Sequence, residues 1–350
     1  MLKLYASRCV HSLSSDSQCN KCEQICPTEA IVVASKPLPS IDFLACVTCG
    51  ACDAICPTEA LSLDEFSLTD FFFKYISDKD NLISCRKNVP CIAALNIEDI
   101  ISIAIVKKEI ILDMGYCDSC DIAYKCKLQI EKNHEEASYI LEAMQSDAVI
   151  KLENIKYEVD KRDFFNSITL NAVSKKKNDF ENEIKKATKK LLEHTLEKKD
   201  SRFLKQKRIT NRKKLFFTAI KRLEEPSPFH VIEANEISFT SQKLINQDTC
   251  TACQLCYRLC PSGALASDIR NSKIDFDPFL CVKCNLCHDV CESDSITLSS
   301  SYKIKSFFKP AIENLINFSL VVCSECSILF STNFDEKLCQ RCKEISMEVN

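Results

Sequence analysis

The sequence predicts an α+β chain in which two copies of a small cysteine-rich module are joined by a β-α-β unit and a long basic helical region. A closing pair of cysteine knuckles follows the second copy. Three observations predict this. Runs of closely spaced cysteines come in two pairs, one near the N-terminus and one beyond Gln247, and each pair repeats at nearly the same interval: Cys19 to Cys49 is 30 residues, Cys250 to Cys281 is 31. Between the pairs, apolar runs alternate as strand, helix and strand from Leu82 to Asp113. From Tyr116 to Glu225 there is neither glycine nor proline, so the two strongest helix breakers are missing.

The first module is placed at residues 1–64. Its runs are Cys19-x2-Cys22-x3-Cys26-Pro27 and Cys46-x2-Cys49-x2-Cys52-x3-Cys56-Pro57. Their tails, Cys26-Pro-Thr-Glu-Ala-Ile and Cys56-Pro-Thr-Glu-Ala-Leu, read as a turn leading into a strand. Pro39–Phe43 reads as a further short strand. The x2-x2-x3 spacing has one physical purpose: three thiolates clasp one face of an iron–sulfur cubane and the fourth reaches a second cubane. A structural zinc site wants two separated pairs instead.

Residues 65–130 are placed as a small α/β cysteine-rich unit. Ser67–Ile76 reads as a short aromatic helix, Leu82–Cys85 as a strand, Pro90–Lys107 as a helix opening at Pro90 and Cys91, and Glu109–Asp113 as a second, parallel strand. Cys85, Cys117 and Cys120 then lie at the carboxyl ends of strands, where α/β sheets place ligands. Cys91 would lie at the helix N-terminus and Cys126 one loop onward. These five cysteines are a candidate further metal, iron–sulfur or redox-thiol site, with buried structural thiols as the plain alternative.

Residues 131–239 are placed as a basic helical region. Phe180, Ile184, Ala187 and Leu191 fall at helical spacing. Lys185-Lys186, Lys189-Lys190, Lys205-Gln-Lys-Arg208 and Arg212-Lys-Lys214 make it strongly positive. A solvated helical face accounts for such charge; an acidic redox partner would also fit it, and nucleic acid fits less well.

The second module is placed at residues 240–300, with Cys250-x2-Cys253-x2-Cys256-x3-Cys260-Pro261 and Cys281-x2-Cys284-x2-Cys287-x3-Cys291, and a short strand at Lys273–Phe276 between them. Residues 301–350 are placed as a C-terminal helix with a knuckle pair, Cys323-x2-Cys326 and Cys339-x2-Cys342, separated by 12 residues. Two such pairs make a tetrahedral four-thiolate site. The pattern resembles a zinc ribbon, although it lacks the glycines that usually follow each pair; zinc is the expected metal and mononuclear iron of the rubredoxin type the rival.

On these runs the two modules resemble bacterial 2[4Fe-4S] dicluster ferredoxins, and the whole resembles the polyferredoxin-type subunits of redox complexes. The resemblance covers about a third of the chain. It implies that the last cysteine of each run crosses to the other cluster. Cys250, Cys253, Cys256 and Cys291 would then hold one cubane, and Cys281, Cys284, Cys287 and Cys260 its partner. In the first module Cys46, Cys49, Cys52 and Cys26 would hold one. The other has Cys19, Cys22 and Cys56 and lacks a fourth ligand, because Asp16 stands at the family position. Cys9 is the first choice, since thiolate suits this cluster best; Asp16 or His11, or a site with three protein ligands, are the alternatives.

Composition agrees. The 25 cysteines in 350 residues are odd in number and sit in CxxC clusters, which favours metal ligation over disulfides. Thiolate ligands need a reducing compartment, so the expected location is cytoplasmic. No signal peptide or membrane span is expected; the most apolar stretch, Ile97–Leu112, carries five charged residues. The three glycines, Gly50, Gly115 and Gly263, leave no GxGxxG or P-loop motif for a nucleotide. No HExxH or triad pattern uses the five histidines, and His288 beside Cys287 reads as a tuner of cluster potential or a surface residue.

The expected function is relay of single electrons through four [4Fe-4S] clusters, as subunit or partner of a larger oxidoreductase. Two other classes stay open: a redox enzyme using the Cys85–Cys126 thiols or metal, and a non-catalytic iron–sulfur sensor or maturation and recognition factor.

Overall fold

Every cysteine-run tail becomes a short antiparallel strand. The computed structural model describes residues 1–33, 38–157, 170–196 and 207–348. The first module consists of β1 (Leu2–Leu4), α1 (Lys21–Ile25), β2 (Ile31–Val32), β3 (Ser40–Ile41), α2 (Ala51–Ile55) and β4 (Leu61–Leu63). β1 pairs with β4 and β2 with β3, both antiparallel. The strand expected over Pro39–Phe43 shortens to β3. Gly50 caps α2 at φ +83°, a left-handed backbone that glycine adopts without strain. A Cβ there would meet the Cβ of Ala94 at 2.7 Å, so the next unit packs directly on this turn.

That unit contains α3 (Leu68–Ser77), β5 (Leu82–Ile83), α4 (Ile97–Lys107), β6 (Glu109–Asp113), α5 (Ala123–Ala143) and β7 (Val149–Glu153). The β-α-β reading holds, with β5 parallel to β6. Two details differ. The helix expected to open at Pro90 and Cys91 begins at Ile97, because Asn96 and Asp99 form a reciprocal capping box; Ile92–Ala94 is a single 3-10 turn. The stretch expected to be helical from Tyr116 onward is interrupted by β7, which adds to β6 in parallel over five residue pairs. Residue 130, placed as a boundary, lies within α5, so the α/β unit continues to β7.

The basic region supplies α6 (Leu170–Leu196) and α7 (Asn211–Ile220). Phe180 and Leu191 are buried as their spacing predicts, and Phe180 lies 5.3 Å from the Phe72 ring of α3. Lys185, Lys186 and Lys190 are exposed. Lys205 lies outside the described residues. A solvated face does not describe α7. Arg212 is 6% exposed and Lys213 0%, because both are neutralised inside the fold. Lys213 pairs with Glu98 at 3.1 Å and lies 4.7 Å from the Phe239 ring centroid. Burial of so much charge is tolerated only when it is paired.

The second module repeats the first. It comprises β8 (Val231–Glu233), β9 (Lys243–Ile245), α8 (Leu255–Arg258), β10 (Leu265–Ala266), β11 (Lys273–Phe276), α9 (Leu286–Asp289) and β12 (Ile296–Leu298). β9 pairs with β12 and β10 with β11. Outside the repeat, β13 (Ser301–Lys303) pairs with β8, α10 spans Lys305–Phe308, and β14 (Glu313–Asn317) extends the β10–β11 sheet. The chain ends in the hairpin β15 (Ser319–Val322) and β16 (Leu329–Thr332) and helix α11 (Gln340–Glu348). Phe216, Phe279 and Phe307 are fully buried where α7 meets this module, each contributing about 1.5–3 kcal/mol by burial. Among the described residues no helix is long and apolar enough to cross a membrane.

Candidate metal centres

The fold gathers the cysteines in fours. Cys26, Cys46, Cys49 and Cys52 line one small cavity, with Leu2, Ile31 and Leu63 as apolar wall. Cys9, Cys19, Cys22 and Cys56 line a second. Cys250, Cys253, Cys256 and Cys291 line a third. The fourth group shows in its electrostatics: burial pushes the Cys284 thiol up, and Cys260, Cys287 and Cys281 beside it add to the rise. In each group the last cysteine of one run sits with the other run of its module.

Cys9 reaches its group through two successive 3-10 turns, Ala6–Arg8 and Val10–Ser12. The Cys22 thiol is pushed up to about 12 by burial and then by Cys56, Cys19 and Cys9. His11 also borders this cavity, and its Nε2 lies 2.6 Å from the Cys19 carbonyl. Asp16 is exposed and accepts a hydrogen bond from Ser14. The two groups of a module are neighbours: burial raises Cys52, with Cys22 of the other group contributing, and Cys256 is raised likewise with Cys287 contributing.

A hydroxyl accompanies all four crossing cysteines. Thr28, Thr58, Ser262 and Ser293, each two residues after the last cysteine of a run, stand 3.7, 3.8, 3.7 and 3.8 Å from Sγ of Cys26, Cys56, Cys260 and Cys291. The amides of Ala30 and Ala60 donate to Cys26 and Cys56 at 3.2 Å. Hydrogen bonds to sulfur set cluster potential. The tails carry this signal in sequence as a Thr or Ser at the second place, which the spacing argument passes over.

In the second module Ser241 lies 3.3 Å from Cys281 Sγ, and Lys207 holds the Cys260 thiol down against its burial. His288 accepts a 2.8 Å contact from Lys243, and burial with that neighbouring charge lowers its imidazole to about 4.

The modules meet directly. Val10, Leu286 and Val290 form a buried apolar cluster against which Cys19 and Cys284 pack. Around it, Gln18 N–H donates to Asp289 at 3.0 Å and Lys21 to the Lys283 carbonyl at 3.1 Å. Residues 207–212 tie the same two modules from another side. Arg208 N–H donates to the Pro261 carbonyl at 2.9 Å, and Lys207 to the Tyr257 carbonyl. Arg212 donates to the carbonyls of Cys56 and Asp53 at 2.9 and 2.7 Å and to the Asp53 carboxylate at 3.0 Å. Charge-assisted bonds of this kind are among the stronger ones.

The four C-terminal thiols differ from the rest. Cys323, Cys326, Cys339 and Cys342 lie within 4.8 Å of one another, alone among the described residues in closing to the size of a single ion. Cys339 N–H donates to Cys323 Sγ at 3.4 Å. Asn333, beside β16, donates to the Cys250 carbonyl at 3.1 Å and so docks the knuckle pair on the second module.

The five central cysteines are not all equivalent. Cys85, Cys91, Cys117 and Cys120 influence one another's thiols, whereas Cys126 lies beside Cys91 and beside Cys49 of the first module.

Comparison with protein families matches a 4Fe-4S dicluster domain at residues 17–61 and another at residues 242–292. No curated protein matches the chain. The first match begins after Cys9, so it covers seven cysteines of its module. The chain thus carries two 4Fe-4S dicluster domains and, at the C-terminal end, a four-cysteine group that could hold a metal, an arrangement that fits a two-module ferredoxin-like protein.

Proposed function

We propose that the chain is a polyferredoxin that relays single electrons through four [4Fe-4S] clusters, in a reducing cytoplasmic setting, to or from a redox protein of a larger oxidoreductase. The ligand sets are the four cysteine groups of the modules, with Cys9 completing the group of Cys19, Cys22 and Cys56. A bound cubane exchanges one electron, with its potential set by charge, exposure and hydrogen bonds to sulfur. The protein's part is to fix four such sites in a row and to bury part of each ligand set.

The packing of Cys19 and Cys284 against one shared cluster, Val10–Leu286–Val290, supports this reading. Electron transfer falls steeply with distance, and the shared cluster places the Cys19 and Cys281 groups on either side of the junction between the modules. The order along the relay is then the Cys46 group, the Cys19 group, the Cys281 group and the Cys250 group. The exposed lysines of α6 favour an acidic partner. The C-terminal knuckle pair holds zinc in this reading, as a structural clip on the second module.

The test is iron, sulfide and zinc analysis of anaerobically purified full-length protein, read with EPR during dithionite titration. About 16 cluster irons with interacting signals are expected. About four irons, or zinc alone, would refute the relay.

A further inference from the structure

Cys85 and Cys91 come from the connection between β5 and α4, and Cys117 and Cys120 from the one between β6 and α5; the fold locks the two together. Cys85 follows β5 and Cys117 follows β6, at the carboxyl ends of adjacent parallel strands. Ser84 donates to the Asp113 carboxylate at 2.9 Å, and Arg86 lies 4.8 Å from the Tyr116 ring, so the residues flanking Cys85 and Cys117 are fixed to one another. Cys120 closes a 3-10 turn on Cys117, its N–H donating to the Cys117 carbonyl at 3.1 Å. Cys91 enters from the Ile92–Ala94 turn. The four thiols sit close enough for their charges to act on one another. Yet no three of them close to within 4.8 Å as the C-terminal thiols do. The thiols of the dicluster modules are spread in the same way, as ligands around several irons must be.

The same region is pressed onto the first module. Tyr124 donates to the Pro27 carbonyl and Lys125 to the Cys26 carbonyl, both at 2.8 Å. Ala94 leaves no room for a side chain at Gly50, the residue after Cys49. Between them Cys126, buried on α5, lies beside Cys49 on one side and Cys91 on the other.

We propose that Cys85, Cys91, Cys117 and Cys120 hold a fifth iron–sulfur cluster, and that Cys126, which ligates no metal, packs between it and the first module. The site stands at the outer end of the row, with Cys85 and Cys120 exposed. It extends the four-cluster relay and presupposes it.

The test uses the full-length protein reconstituted anaerobically with ferrous iron and sulfide. Iron should exceed the four-cluster value of about 16, reaching about 18 for a two-iron or about 20 for a four-iron cluster. Cys85→Ser and Cys120→Ser, both at exposed positions, should each remove that excess and leave about 16 irons. Cys126→Ser should keep it. In the loaded protein, iodoacetamide should leave Cys85 and Cys120 unmodified until a chelator and oxidant strip the iron. A parent protein with about 16 irons, unchanged in both serine variants, would overturn the fifth cluster while leaving the relay intact. Immediate alkylation of Cys85 and Cys120 in the loaded protein would overturn it as well. Loss of the excess iron in Cys126→Ser would overturn the role given to Cys126. A parent with about four irons would bring down the relay and the fifth cluster together.

Discussion

Replacing Arg212 with methionine should cost more stability than any change to the exposed basic residues. The guanidinium is 6% exposed and serves the carboxylates of Asp53, at 3.0 Å, and Asp99, at 3.6 Å, together with two carbonyls at the end of α2. Removing one partner of a buried charge pair costs about 3–5 kcal/mol, because the remaining charge is stranded. With a urea slope of about 2 kcal/mol/M, the midpoint should fall by about 1.5–2.5 M. The assay is anaerobic urea titration at fixed incubation time, followed by visible cluster absorbance. The penalty should also depend on pH. Burial raises the Asp99 carboxyl to about 7, and Arg212 is the strongest influence opposing that rise. Without Arg212 the carboxyl rises further. Parent and variant then both hold the proton well below pH 7, whereas above it only the parent gains a paired carboxylate, so the penalty grows from pH 6 to pH 8. Asp99→Asn in the Arg212→Met background should recover part of the loss by removing the stranded acid. A midpoint within about 0.3 M of the parent at pH 8 would refute the reasoning, since it corresponds to less than about 1 kcal/mol.

Three further outcomes can be checked. Cys9→Ser should lower cluster iron by about four per chain, while Asp16→Ala and His11→Ala leave it unchanged; full retention in Cys9→Ser would remove Cys9 from the ligand set. Thr58→Val removes the hydroxyl 3.8 Å from Cys56 Sγ and should lower one midpoint potential by about 20–60 mV, the equivalent of a 0.5–1.5 kcal/mol bond favouring the reduced cluster. An unchanged set of potentials in EPR-monitored titration would sink that tuning role. Cys326→Ser, at an exposed knuckle position, should release one metal equivalent and spare the cluster iron. Metal analysis showing full retention would refute the knuckle site.

Much of this was readable in the chain because cysteine spacing and strand tails are local signals. The tails after Cys26, Cys56, Cys260 and Cys291 all became strands, since a short apolar pair after a turn has few other options. Three of the five central cysteines, Cys85, Cys117 and Cys120, are legible from their places at strand ends, but the separation of Cys126 from the other four is not. It depends on where α5 docks, and nothing near Cys126 in sequence refers to Cys49. The start of α4 was misplaced because Pro90 is a visible signal and the Asn96–Asp99 box a quieter one. Arg212 and Lys213 were grouped with solvated lysines because charge alone does not reveal a distant partner; their acids lie on α2 and α4. Cys9 lay outside the run spacing, and only the loop geometry brings it to Cys19, Cys22 and Cys56.

The clasp at Arg212 also sets a clock on biosynthesis. Its bond to the Cys56 carbonyl spans 156 residues of sequence. At ribosomal speeds of about 5–20 residues per second, the first module emerges roughly 10–30 s before the guanidinium that neutralises Asp53. For that interval its thiols are already in place while the acids at the end of α2 face solvent. The nascent module is therefore more negatively charged than the finished protein, until Arg212 arrives to pair with Asp53.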